Sequence, residues 1–272
     1  MGKRHNTIVI ANPKGGVSKT TSAGHLAMAL ATKAKVCVVD FDQQKDLSKM
    51  FFRGEPDSFF EKANILTLLK YETTLQETLK NKYGVDIIIS SSSVRDYQSL
   101  ASKNVEITLR LKEILSELEH EIILIDTPGS GSYETVTALM AADTVIIPVI
   151  PELWSIDTLK DFFKIINETI SQGSSIKKIY LLPTKWGNSK ESEQVHTQLY
   201  RVPDFLNQLR KKLPEKYELV PPPGILTSIP LSKTIRDRTE AGEPLADNTN
   251  GKAAFSALAD KLLSELGLFS KV

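Results

Sequence analysis

A short stretch near the amino terminus carries the residues that point most directly to chemistry. Gly15 and Gly16 permit backbone conformations and a close approach that a Cβ atom would prevent. Backbone N–H groups in such a loop, together with the N-terminus of a following helix, point at an anion. Lys19 would neutralise β- and γ-phosphates, and the Thr20 hydroxyl would ligate Mg²⁺. The stretch therefore predicts a phosphate-binding loop, with these nucleotide-binding residues: Lys14, Gly15, Gly16, Val17, Ser18, Lys19, Thr20 and Thr21.

The surroundings of this loop favour phosphate binding over a plain turn. A Gly-Gly turn before a helix is common and usually has no further role. Here the β-branched run 7–11 precedes the loop and the Ala- and Leu-rich run 19–32 follows it, as strand and helix should. Ser18 stands where glycine is usual, and serine can occupy that place if the local backbone keeps φ negative.

Two carboxylates follow the apolar run 36–39. Asp40 and Asp42 stand at i and i+2, a spacing that aims both side chains to the same side at the end of a strand. An aspartate at this place is often only a cap or a turn former. Beside a phosphate loop, the pairing favours magnesium and water chemistry.

A third motif follows the apolar run 122–125. Asp126 ends this run and would hold magnesium through a water molecule. The turn after it contains Gly129 and Gly131, which would let the loop move when a γ-phosphate is present or lost.

The elements that must position these residues follow from the hydrophobic pattern. Apolar runs with helical stretches between them occur at 8–11, 36–39, 85–89, 122–125, 144–149 and 179–182. This alternation predicts βαβ units, whose right-handed crossovers place a ligand beyond the carboxyl ends of the strands. We therefore predict an α/β fold, a single-domain P-loop NTPase over residues 1–272, with a twisted, mostly parallel β-sheet flanked by helices on both faces.

Composition excludes several other classes of protein. The net charge of +1 gives no global attraction to nucleic acid, so any DNA binding needs a local basic patch. The single cysteine, Cys37, lies in an apolar run and predicts a buried strand residue, with no disulfide and no thiolate cluster. No apolar segment approaches the length of a membrane span, and no signal peptide precedes the first strand. We expect a cytoplasmic protein.

The Lys-Gly-Gly-x-x-Lys-Thr pattern from Lys14 to Thr20 resembles the deviant Walker A box of the ParA/MinD family of P-loop ATPases. In that family the first lysine, here Lys14, reaches across a dimer interface to the phosphates bound by the partner subunit. The resemblance implies ATP and Mg²⁺ as ligands and a homodimer in the ATP state. It also implies a weak, partner-stimulated ATP hydrolase in which Lys14, Lys19 and Asp42 are catalytic.

The resemblance continues beyond the phosphate loop. Residues 40–44 are similar to the Walker A′ segment, usually Asp-x-Asp-Pro-Gln, with Gln43 in place of proline. On this resemblance Asp42 polarises the attacking water, Asp40 supports the magnesium shell, and Asp126 belongs to a Walker B strand. The similarity spans about residues 7–266 and is loose at about 50–120 and 185–228.

Within the family, the chain is most similar to ParA-like partition ATPases. Such proteins bind nonspecific DNA in the ATP state and segregate chromosome or plasmid DNA, and a ParB-like, centromere-binding partner stimulates hydrolysis. Runs of charge are usually solvated helix faces, and residues 210–212 form one such basic group. The family places DNA contacts near the C-terminus, which implies Lys233, Arg236 and Arg238 here and nucleoid association in the cell. We expect no N-terminal DNA-binding extension.

The sequence fits three alternative functions less well. A MinD-like membrane-cycling positioning ATPase would need a basic face on the last helix, about 252–266, but that face mixes lysines with acids. We therefore expect this helix to pack on the domain, with no membrane partner. A dethiobiotin-synthetase-like ligase would need a substrate pocket that the sequence does not reveal. Relatives such as the nitrogenase iron protein need several cysteines, and the single cysteine of this chain excludes that function. Adenine contacts stay unassigned, because residues 184–186 depart from the family pattern.

Overall fold

The computed structural model describes residues 5–152, 155–187, 189–212 and 214–268, without the side chains of residues 155–157 and 191. The strands are β1 (Asn6–Ile10), β2 (Val36–Asp40), β3 (Leu79–Lys82), β4 (Val85–Ile88), β5 (Ile122–Asp126), β6 (Thr144–Val149), β7 (Lys178–Pro183) and β8 (Gly224–Ile225). The helices are α1 (Lys19–Leu30), α2 (Asp46–Phe51), α3 (Asp57–Lys62), α4 (Ile65–Leu69), α5 (Leu75–Thr78), α6 (Tyr97–Lys103), α7 (Glu106–Ser116), α8 (Tyr133–Ala141), α9 (Ser155–Ser171), α10 (Lys190–Leu199), α11 (Val202–Lys212), α12 (Pro214–Tyr217), α13 (Lys233–Ala241) and α14 (Asn250–Leu266).

All of these strands form one sheet in the order β3-β4-β2-β5-β1-β6-β7-β8, which confirms the predicted α/β fold class. The antiparallel pair is β3 with β4, and the other neighbours are parallel. The six predicted strands are all present, because their Val- and Ile-rich runs can be buried on both faces of a sheet. β3 and β8 were missed, since β3 is polar (Leu-Lys-Asn-Lys) and β8 has two residues.

Alternation along the strands supplies two hydrophobic cores. Ile8 and Ile10 of β1 face a core shared with α1, α2 and α14, whereas Val9 faces a core shared with α7, α8 and α9. Cys37 is fully buried in the second core, as predicted, and burial raises the pKa of its thiol far above the usual range. The thiol is therefore a packing group.

The central strands carry the three motifs to one edge of the sheet. β1 lies between β5 and β6, and β5 lies between β1 and β2. In this register Ile10 is opposite Asp126, and Asp126 is opposite Asp40. The phosphate loop, Asp40 and Asp126 therefore start from three adjacent strand ends at one level.

The last helix packs on the domain, as the sequence predicted. Phe255, Leu258 and Leu262 of α14 are at most 1% exposed and lie in the core beside α1. Within the described part of the chain, no helix combines the length and apolar composition needed to cross a bilayer.

Candidate functional site

The phosphate loop is held at both ends by hydrogen bonds to neighbouring strands. The buried Asn12 amide donates to the Pro148 carbonyl (2.8 Å), and its Oδ1 accepts the backbone N–H of Lys14 (2.9 Å). The hydroxyl of Thr184, which follows β7, donates to the Val17 carbonyl (3.0 Å). The ends of β6 and β7 therefore fix the course of the loop.

Ser18 adopts a different backbone from the one that would suit serine. Its φ is +69°, in the left-handed region, whereas the sequence argument required a negative φ. The loop must reverse here to start α1 at Lys19, and a left-handed residue achieves the reversal. For a residue other than glycine this conformation costs about 1 kcal/mol.

Lys19 lies at the floor of the loop. Its side chain is buried, and its Nζ donates to the Lys14 carbonyl (3.1 Å). Burial lowers the pKa of this ammonium, while Asp126 and Asp42 oppose the shift by favouring the charged form. The cation and two of the predicted carboxylates therefore share one site.

Asp40 is fully buried and held by three donors. It accepts hydrogen bonds from the Ser48 backbone (2.8 Å), the Ser48 hydroxyl (2.7 Å) and the Asp42 backbone (3.1 Å). Burial raises the pKa of Asp40 to about 7, although these bonds favour the charged form. Ser48 was not among the predicted site residues. It lies on α2, eight residues after Asp40, and no sequence motif marks that position.

Asp126 is fully buried opposite Asp40 and has no complete hydrogen bond at either carboxylate oxygen within the described residues. Burial, and then the charge of Asp40, raise the pKa of Asp126 well above its usual range. The Thr20 hydroxyl and the Lys19 ammonium favour its charged form. The buried Asp126 carboxylate, with both oxygens unused and a second buried carboxylate opposite it, suits a divalent cation.

Asp42 is half-buried and lies beyond the end of β2, so strand alternation does not orient it. Its Oδ1 accepts the Gln44 N–H (3.0 Å), and its backbone carbonyl accepts the Ser90 hydroxyl (2.7 Å). Burial raises the pKa of Asp42, and the nearby Lys19 opposes this. The carboxylate is therefore fixed beside the cation of the loop.

Gly129, in the loop after β5, lies directly against the phosphate loop. A Cβ at this position would be 3.2 Å from Gly15 Cα and 3.4 Å from Lys19 Nζ. The close approach favours glycine and brings the loop that follows Asp126 next to the predicted phosphates.

Lys14 forms an ion pair with Glu152, whereas Lys19 lies near Asp42 and Asp126. The Lys14 Nζ is 2.5 Å from Glu152 Oε2, just after β6, and its side chain is 13% exposed against 43% for Glu152. The two lysines of the loop thus have separate environments.

A cavity of about 720 Å³ extends from the phosphate loop along α1 and is called the central cavity below. Its lining includes Lys185, Pro230 and Leu231, none of which sequence reasoning assigned. Lys185 also donates to the Gly16 carbonyl (2.9 Å), and Leu231 is 71% exposed. The pair Ile229-Pro230, shortly before α13, was the sequence signal available for this part of the lining.

The structure separates the three basic residues that the sequence assigned to DNA. Lys233 and Arg236 line the central cavity, whereas Arg238 lies outside its lining and pairs with Glu243. The other basic group, 210–212, ends α11, which packs on the opposite face of the sheet from α1.

Helix α13 is attached to α1 through a buried histidine. His25 Nε2 lies 3.0 Å from the Thr239 hydroxyl, and the imidazole ring packs on Phe255 of α14. Burial lowers the pKa of His25 from 6.5 to about 4, which the Ile235 carbonyl partly opposes. The folded protein therefore keeps this imidazole neutral.

This histidine predicts a loss of stability in mild acid. Between about pH 4 and 6.5 the unfolded chain binds a proton that folded His25 excludes, so stability falls as the pH falls through that window. From pH 7 to 5, we expect the wild-type free energy of unfolding to fall by roughly 2 kcal/mol more than that of His25→Gln. Urea unfolding at both pH values measures this, and equal losses would contradict the assignment.

Known proteins similar to this chain include a ParA family protein and a MinD protein. A ParA family protein of Chlamydia trachomatis is 33% identical over 163 residues, 57% of this chain and 62% of that protein. The chain thus spans less than two thirds of that relative's length. The septum site-determining protein MinD of Neisseria meningitidis is 26% identical over 268 residues, 95% of this chain and 91% of that protein.

A solved structure supports the fold. The putative plasmid partition protein of Borrelia burgdorferi, bound to AMPPNP, superposes with a TM-score of 0.75 at 23% identity, over 96% of this chain and 100% of that one.

The model of the AAA domain family matches residues 5–179, well over half of the chain. The strands and loops described above lie largely within that match. The chain therefore belongs to the AAA domain family, as a P-loop ATPase of the ParA/MinD type.

Proposed function

We propose that this chain is a ParA-like partition ATPase. It binds ATP and Mg²⁺, dimerises in the ATP state, binds nonspecific DNA as that dimer and segregates chromosome or plasmid DNA. A ParB-like partner stimulates its slow hydrolysis. The observation that supports the proposal is that the two lysines of the loop have different surroundings. Lys19 lies near the carboxylates of the site, whereas Lys14 is paired with Glu152.

Magnesium fits the residues present. Both carboxylate oxygens of Asp126 are buried and accept no hydrogen bond of normal geometry within the described residues. Magnesium prefers such hard oxygen ligands. Thr20 would hold it directly, Asp126 would hold it through a water, and Asp40 would support its shell. When bound, magnesium neutralises charge on the β- and γ-phosphates.

The remaining roles fall to the chain's own side chains. Lys19 would bind the phosphates from the floor of the loop. Asp42, oriented by the Gln44 N–H, would polarise the attacking water. Gly129, beside Gly15, would let the loop after β5 respond to the γ-phosphate.

The test combines sedimentation with DNA mobility shifts in ATP, in ADP and in a nonhydrolysable ATP analogue. We expect ATP and the analogue to produce a dimer that shifts DNA of unrelated sequences, with affinity falling steeply as salt rises. ADP should leave a monomer without a shift. Dimerisation or DNA binding that ignores the nucleotide would overturn the proposal.

A MinD-like membrane-cycling role is the second candidate, since the MinD relative aligns with 95% of the chain. Against it, the apolar stripe of α14 is buried in the core. Co-sedimentation with anionic liposomes that requires ATP, without any DNA shift at low salt, would favour this role over partition.

A further inference from the structure

Helix α13 forms one wall of the central cavity, directly across from the start of α1. The residues of α13 that line the cavity are Lys233, Ile235, Arg236, Thr239 and Glu240. On the facing side, α1 contributes Thr20, Thr21 and Ser22, in continuity with the phosphate loop. Cations on α13 therefore border the same space as the residues proposed to bind phosphates.

This wall is fixed in place by close packing on three helices. His25 of α1 contacts Thr239 at 3.0 Å, and the Thr239 hydroxyl donates to the Ile235 carbonyl (2.8 Å). A Cβ on Gly242, at the end of α13, would be 2.5 Å from the Met50 carbonyl of α2. One on Gly251 of α14 would be 2.7 Å from Ile235. α13 consequently holds its cations at a set distance from α1.

The facing wall supplies an independent sign of a ligand. Ser22 lines the cavity, is 1% exposed, and its Oγ lacks a hydrogen-bond partner within the described part of the chain. A buried hydroxyl without a partner costs free energy, which a polar ligand in the cavity would offset.

The charges that line the cavity suit a polyanion. Its cations are Lys19, Lys185, Lys233 and Arg236, and its carboxylates are Asp42, Asp46 and Glu240. The proposed magnesium ion would offset part of the negative charge of these carboxylates. Arg236 pairs with its neighbour Asp237 at 3.5 Å, but both are exposed and such a pair is weak. The planar guanidinium matches phosphate oxygens in two-point contacts.

We propose that Lys233 and Arg236 contact the bound nucleotide, so that α13 is part of the nucleotide site. The inference rests on the proposed function for the presence of ATP, and it replaces the DNA contacts predicted for these two residues. Arg238, on the same helix but outside the cavity lining, is the matched comparison.

The test measures nucleotide affinity without DNA. Fluorescent mant-ATP and mant-ADP are titrated into wild type, Lys233→Gln, Arg236→Gln and Arg238→Gln, with thermal unfolding to verify folding. We expect the first two variants to bind both nucleotides about 10-fold more weakly, the loss of one charge-assisted contact. Arg238→Gln should stay within about twofold of wild type.

DNA shifts at saturating ATP complete the experiment. Lys233→Gln and Arg236→Gln should then bind DNA as wild type does. Wild-type nucleotide affinity in both variants, or an equal loss in Arg238→Gln, would overturn the inference. Reduced DNA binding with unchanged nucleotide affinity would return the two residues to the DNA surface. Lack of mant-ATP binding by the wild type would overturn the proposed function itself.

Discussion

Replacing Asp42 by alanine is expected to slow ATP hydrolysis by about 100-fold or more while leaving ATP binding intact. The carboxylate is half-buried beside Lys19 and oriented by the Gln44 N–H, so it can align a water without holding the nucleotide. Single-turnover hydrolysis and mant-ATP titration separate the two effects. Because hydrolysis would release the dimer, the variant should also accumulate as an ATP-bound dimer on DNA.

Asp96→Ala is the control for this substitution, since it removes an exposed carboxylate at the last residue of the short 3₁₀ helix Ser92–Asp96. Its hydrolysis rate should equal that of the wild type. Wild-type turnover by Asp42→Ala would remove the residue from its proposed role. A loss of ATP affinity equal to the loss of rate would assign Asp42 to binding instead.

Replacing Lys14 by alanine is expected to leave ATP binding intact and to weaken the ATP-dependent dimer by roughly 30-fold or more. The Lys14 ammonium is paired with Glu152 of the same chain, whereas Lys19 occupies the floor of the same loop. A contact with the partner subunit's nucleotide requires Lys14 to leave Glu152. Sedimentation equilibrium with a nonhydrolysable ATP analogue measures the dimer constant.

Glu152→Gln tests the same exchange with the opposite sign. The substitution removes the Lys14–Glu152 ion pair, so this variant should dimerise at least as tightly as the wild type, and the double variant should behave like Lys14→Ala. Lys62→Ala, at an exposed lysine of α3, is the control. Full dimerisation and DNA binding by Lys14→Ala would contradict the proposed role of Lys14 in the dimer.

Much of the fold could be predicted because central parallel strands are apolar on both faces. β6 matches its predicted run at both ends, and β2 and β5 extend the predicted runs by the single aspartate that ends each. That shared boundary also explains why Asp40 and Asp126 could be assigned together. The polar edge strand β3 pairs through backbone groups, to which a hydrophobic pattern is blind.

The rest of the site depends on contacts between residues far apart in sequence. Lys14 and Glu152 are 138 residues apart, and His25 and Thr239 are 214 apart. Neither pair has a local signature, so the position of Lys14 and the attachment of α13 emerged only from the folded chain. The backbone conformation of Ser18 was wrongly predicted for a local reason, since a motif specifies residue types but not the torsion angle that each must adopt.

The anchoring of the phosphate loop to the ends of β6 and β7 has a consequence for binding thermodynamics. Asn12 and Thr184 fix the loop through hydrogen bonds within the chain itself. An incoming nucleotide therefore meets a preorganised receptor and loses little free energy to ordering backbone. Most of its binding free energy is then available for the dimerisation proposed above, in which a second subunit is recruited.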